Sequence, residues 1–146
     1  MRKLLLSRNP LSTDIAALLL RVGIGGLMLF GHGLGKFQKL MAGGEIRFVE
    51  YFGLPASVNL GLAVFAEFFC AILIILGLKT RLASIPLAIT MFIAAFVVHV
   101  NDAWFQMNAA EGSGSKEFAL LYLIPVLALF FLGSGKYSID ALIDKS

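Results

Sequence analysis

Charge is what this chain has least of. Only 14% of its 146 residues are Asp, Glu, Lys or Arg, and 59% are hydrophobic; a soluble domain averages about 25% charged. With a mean hydropathy of +0.89, the composition excludes a water-soluble globule and describes one integral membrane domain over residues 1–146. Cysteine is nearly absent. Cys70 stands alone, which rules out an intrachain disulfide, a Cys-x-x-Cys pair, a c-type haem attachment and a zinc pattern. It reads as a small packing residue rather than a redox centre. A phosphate loop is missing too. Gly133-Ser134-Gly135-Lys136 lacks the first glycine and the preceding strand, and reads as a helix stop. The net charge of +3 does not imply a nucleic-acid partner, because the basic residues gather at the ends of apolar segments, where they read as topology signals.

What is present is apolar sequence in lengths that suit a bilayer, which needs about 20 residues per helical span. Four spans are predicted, at about 15–37, 58–78, 82–100 and 117–132. They make an all-α, integral membrane, antiparallel four-helix bundle. Ser12, Thr13 and Asp14 cap the first span. Lys79-Thr80-Arg81 is short enough to force a helical hairpin. Pro86 is placed in the first turns of the third span, where proline costs little, and Pro125 is expected to kink the fourth. Met41 to Gly53 is predicted as a short interfacial helix. Asn101 to Lys116 carries Trp104 and Phe105 at headgroup level, then a flexible Gly112-Ser113-Gly114-Ser115. The apolar run at Leu4-Leu5-Leu6 stops at Ser7-Arg8-Asn9-Pro10, too early for a signal peptide, so the N-terminus is expected to be retained. Arg2, Lys3, Arg8, Lys79, Arg81, Lys136 and Lys145 fall on one side, against Lys36, Lys39, Arg47 and Lys116 on the other. This bias places both termini in the cytoplasm.

Against that apolar background, Glu67 is the most informative residue. It sits mid-way along the run from Val58 to Leu78, where a carboxylate costs roughly 2.5–3.5 kcal/mol on insertion scales, so it must find a partner. On span one, Asp14, Arg21, His32 and Lys36 fall within about 60° on an ideal helix. Arg21, about five residues (~7.5 Å) from mid-span, is the predicted partner of Glu67. That pair either pins two helices or serves function; buried ion pairs are weak evidence for stability. The glycines of span one, including Gly31 and Gly35, are read first as packing residues.

His32, Lys36, His99, Asn101, Asp102 and Glu117 are predicted to gather at the outer interface, as a polar funnel above Glu67. They are either interfacial anchors or the contacts of an amphipathic headgroup. A quinone suits the second reading: its carbonyls need donors and its tail an apolar slot. Glu67 would be the proton-transfer carboxylate, with Arg21, His32, Lys36 and His99 as ligand-binding residues. His32 and His99 also admit bis-histidine haem, with no other haem feature in support. No metal site is predicted.

The segments Leu20-Arg21-Val22-Gly23, Phe30-Gly31-His32-Gly33-Leu34-Gly35-Lys36, Phe52-Gly53-Leu54-Pro55, Ala66-Glu67, Leu76-Gly77-Leu78-Lys79-Thr80-Arg81-Leu82, Val98-His99-Val100-Asn101 and Gly133-Ser134-Gly135-Lys136-Tyr137-Ser138-Ile139-Asp140 recur in order along the chain. In these the chain resembles the DoxX family of small four-span bacterial membrane proteins over essentially its whole length. The resemblance implies a bacterial inner-membrane location. It also implies association with quinol oxidase and thiosulfate-to-quinone chemistry, with quinone or thiol stress, and with membrane oxidoreductase complexes. Arg21, His32, Lys36, Glu67 and His99 match the family's polar pattern. No flavin, iron–sulfur or copper site is evident, so electrons would come from a partner or a bound cofactor. The leading expectation is a quinone- or lipid-binding subunit of a membrane redox system. The alternatives are a non-catalytic assembly subunit, partnered by redox subunits or by its own copies, and a small proton-coupled transporter.

Overall fold

The computed structural model describes residues 12–104 and 115–144. The N-terminal charges Arg2, Lys3 and Arg8, the aromatic Phe105, the segment 112–114 and Lys145 lie outside them. Every regular element among the described residues is helical. Helix α1 runs Thr13–Met41, α2 Ala56–Leu76 and α3 Thr80–Val98, and these three are long and apolar enough to cross a membrane. Helix α4, Lys116–Leu132, has 17 residues, or ~26 Å at 1.5 Å per residue. A short α5, Ile139–Ile143, closes the chain.

The helices start where local chemistry lets them. Ser12 Oγ accepts the Ile15 N–H (3.2 Å) at α1, and Ser115 Oγ accepts the Phe118 N–H (3.2 Å) at α4; both satisfy donors that the first turn leaves free. Helix α2 ends on Gly77 at φ +69°, a left-handed cap that suits glycine. Only residues 77–79 separate it from α3, two residues earlier than the predicted connection at Lys79-Thr80-Arg81, and so short a turn makes a helical hairpin.

Extensive packing joins α1 to α2, α2 to α3, α3 to α4, and α4 back to α1. At one end the start of α1, the α2–α3 turn and the C-terminal segment converge. Asp14 Oδ1 accepts the Lys136 N–H (3.0 Å), the Asp140 N–H donates to the Gly77 carbonyl (3.1 Å), and Asp140 Oδ1 accepts the Lys79 N–H (2.9 Å). Between the helices lies an apolar core that includes Met28, Cys70, Ile74, Leu87 and Leu129. Cys70 packs there, as predicted. Large apolar side chains such as Phe30 and Phe131 point outward, 72% and 76% exposed, the pattern of a surface solvated by lipid.

Two departures from the expected elements have physical causes. Helix α1 continues to Met41, past the predicted end at Phe37, because Gln38, Lys39 and Leu40 are good helix formers. Residues 42–55 hold no helix. Gly43, Gly44 and Gly53 take positive φ (+69°, +86°, +70°), and the chain crosses the helix ends as an irregular strap. Pro86 is the seventh residue of α3, within its first two turns as predicted, and the helices run on through both Pro86 and Pro125.

Each of the three long helices also contains a π-helical turn, at Leu29–Gly33, Phe65–Cys70 and Ala94–Val98. A π turn absorbs about one extra residue. In an unbroken α-helix Gly25 and Gly33 would point about 80° apart; with the π turn between them both face α2. A Cβ on Gly25 would lie 2.7 Å from Ile75 Cγ1, and one on Gly33 would lie 2.9 Å from Phe68 Cα and closer still to the Glu67 carbonyl. The backbones of α1 and α2 therefore cross at Gly33 and Glu67.

Candidate functional site

That crossing places Glu67 one turn of α1 from Lys36. The Glu67 carboxylate forms an ion pair with the Lys36 ammonium, with the carboxylate side chain 4% exposed and the lysine 27%. Close backbone approach at Gly33 is what lets the pair form. Opposite charges in contact are far cheaper in a low-dielectric interior than either alone.

The predicted Arg21–Glu67 pair is not made. Arg21 is 1% exposed, but its guanidinium turns to the other end of the molecule. Nη2 donates to the Tyr137 carbonyl, and the group fills the space that a side chain on Gly77 would need. The reason is register. Arg21 lies four residues before Gly25, and α1 and α2 run antiparallel, so Arg21 faces the end of α2 instead of its middle. Arg21 thus holds the C-terminal segment against the helix ends. Lys36, predicted at the end of the first span, lies within α1 five residues before its end and, partly exposed, is the ion-pair partner of Glu67.

Above the ion pair the helices diverge around a cavity of about 520 Å³, within the ordinary range for small-molecule sites. His32, Lys36, Glu67 and His99 all line it. Of the five predicted site residues, the cavity gathers four, and Arg21 is not among them. The three π turns lie around it. His32 and Glu67 are inside two of them, and His99 directly follows the third. Such turns often occur at functional sites because they re-aim side chains.

Sequence reasoning missed several residues of the wall. Tyr122 on α4 meets the His32 ring edge-to-face, with centroids 5.4 Å apart. A tyrosine in the otherwise apolar run from Phe118 to Leu132 was the available signal. Thr90 on α3 lines the cavity and its Oγ1 donates to the Pro86 carbonyl (3.0 Å). The strap at 42–55 contributes Phe48, Tyr51 and Phe52. It is tied down where Asn59 Nδ2 donates to the Leu54 carbonyl (3.0 Å) and where Lys39 Nζ donates to the Arg47 carbonyl.

The far wall is held by a turn. The Asp102 N–H donates to the His99 carbonyl (3.1 Å), and Asp102 Oδ2 lies 2.8 Å from His99 Nδ1. Lys116 Nζ donates to the Val100 carbonyl (2.9 Å) and sits over the Trp104 ring, which fastens this turn to the start of α4. Among the described residues no cluster of three or more His, Cys, Asp or Glu is placed to hold a metal ion. The cavity can therefore offer a mostly apolar slot, one ammonium–carboxylate pair, two imidazoles and a phenol.

These features define an all-helical membrane protein with a partly open cavity that carries polar groups among apolar walls. The family model DoxX matches residues 16–100, and the chain belongs to that family. It is 33% identical over 134 residues to a Bacillus subtilis protein named "Putative oxidoreductase CatD", covering 92% of this chain and 91% of that one. It is 33% identical over 119 residues to an uncharacterized protein of Haemophilus influenzae, covering 80% and 76%. An uncharacterized membrane protein of Mycobacterium tuberculosis is 30% identical over 132 residues, covering 82% and 77%. No solved structure matches the chain.

Proposed function

We propose that this protein is a quinone-binding subunit of a redox system in the bacterial inner membrane. All four long helices span the bilayer as an antiparallel bundle, with both termini in the cytoplasm. The observation that carries this reading is the cavity itself. It is apolar over most of its wall, and its few polar groups converge from all four long helices. Lys36 is the donor for a carbonyl oxygen, and Glu67, its partner, exchanges a proton with the bound ring. His32 and His99 are the remaining headgroup contacts. A bound quinone supplies the two-electron, two-proton chemistry; the chain supplies position, proton exchange and exclusion of water. Electrons come from a partner oxidoreductase subunit, in keeping with the name given to the Bacillus relative.

Native mass spectrometry of the protein released gently from its own membrane tests this. A retained mass matching a quinone, lost in Glu67→Gln protein of unchanged helicity, is the expected result. A chain that carries only another polypeptide, with the same behaviour in Glu67→Gln, would overturn it in favour of an assembly role.

A further inference from the structure

Two chemically different groups line the cavity, the Lys36–Glu67 pair and His99, and the second is set by Asp102, a residue of the predicted polar funnel that was not among the predicted ligand-binding residues. His99 lines the cavity, and its Nδ1 is 2.8 Å from Asp102 Oδ2. A carboxylate accepts only. In the neutral ring it selects the tautomer with hydrogen on Nδ1, as carboxylate partners do for histidines at other sites. Nε2 then carries a lone pair and is the ring nitrogen left to meet a ligand. The geometry is held from two sides: the turn closes on its own backbone, and Lys116 of α4 fastens the Val100 carbonyl beside it.

We infer that Asp102 is a positioning residue that presents His99 Nε2 to the cavity as an acceptor, so that the cavity takes the reduced, hydroxyl-bearing form of its ligand. A quinone offers only acceptors, and a carbonyl oxygen facing the Nε2 lone pair is repelled. A quinol hydroxyl donates to Nε2, while its other oxygen still accepts from Lys36. The two groups therefore ask for a molecule with a donor for one and an acceptor for the other, which a quinol satisfies and a quinone does not. This inference rests on the quinone reading above and narrows it to one oxidation state. A carboxylate beside a histidine in a turn also has a purely local role, so the test must read something that stability alone would not move.

The chain has two histidines, so 15N-imidazole spectra of the full-length protein in lipid nanodiscs contain two rings. The signals are assigned with a His32→Gln variant. At about pH 8, where an ordinary imidazole is neutral, His99 is expected as the Nδ1–H tautomer in wild-type and in Asp102→Glu protein, but not in Asp102→Asn. In parallel, a hydroquinone and its benzoquinone bearing the same decyl tail are titrated anaerobically. The hydroquinone is expected to bind about tenfold tighter, the worth of one good hydrogen bond. Asp102→Asn should abolish the preference and Asp102→Glu restore it. An Nε2–H tautomer or an imidazolium at His99 overturns the inference whatever binds. Equal binding of both forms by the wild type overturns the inference alone. Binding of neither form overturns the quinone reading and takes the inference with it.

Discussion

Glu67 and Lys36 differ in burial, and that difference decides what each contributes. The carboxylate side chain is 4% exposed and the ammonium 27%. Removing the lysine strands a charge that cannot reach water; removing the carboxylate leaves a long side chain that can snorkel outward. Lys36→Met should therefore destabilise by about 3–5 kcal/mol. Glu67→Gln should cost only about 1–2 kcal/mol, the loss being discounted for the lysine's access to solvent. The double variant Lys36→Met/Glu67→Leu should return to within about 1 kcal/mol of wild type. Denaturation in micelles measures all three. Equal costs for the two single changes would show that the pair is not buried on one side as described. That Glu67 needed a partner was legible from its position in an uncharged run. Which cation would answer was not, because Arg21 and Lys36 share one stripe of an ideal helix, and the register of α1 against α2, set where Gly25 meets Ile75 and Gly33 meets Glu67, decided for Lys36.

Helices α1 and α2 meet through glycine, and the two classes of glycine on α1 separate cleanly. Gly33 abuts the Glu67 and Phe68 backbone, while a Cβ on Gly35 would meet nothing within 4 Å. Gly33→Ala should force the helices apart at a cost of about 1–3 kcal/mol and shift the Lys36–Glu67 pair with them. Gly35→Ala should be neutral or stabilise by up to about 1 kcal/mol, through helix propensity alone. Thermal melting of the two variants side by side reads the contrast, and equal melting points would remove the close crossing. The glycine content of this helix was plain in the sequence. Its division into packed and open faces was not, since both kinds recur at similar spacing. The strap at 42–55 shows the reverse failure: alternating charge and aromatic residues suggested a helix, but glycines at positive φ spread that pattern along an irregular path.

For the molecule as a whole, the described contacts put Asp14, Lys79, Lys136 and Asp140 together at one end. The strap and the 99–102 turn lie at the other, where both line the cavity. The proposed orientation places the first end in the cytoplasm. Cys70 is 2% exposed and should stay silent toward a membrane-impermeant maleimide in intact cells. An introduced Arg47→Cys should label in those cells, and Ser134→Cys only after they are broken open. The opposite pattern would invert the topology without disturbing the fold. At this scale the sequence was most informative. The membrane class follows from hydropathy, which depends on composition over about 20 residues and tolerates local irregularity; three of the helices are long and apolar enough to span.

The sequence by itself determined the membrane class, the all-helical character, and the need for a buried partner to Glu67. Each of these rests on the cost of placing polar groups in hydrocarbon, which is a property of residue types. Only the tertiary structure decided that Lys36 answers Glu67, that Arg21 serves the opposite end, and that His32, His99 and Tyr122 share one cavity. Those outcomes depend on which face each helix presents. Two π turns, which no residue pattern announced, rotate the parts of α1 and α2 that follow them and so choose the neighbours, and a third ends α3 beside His99.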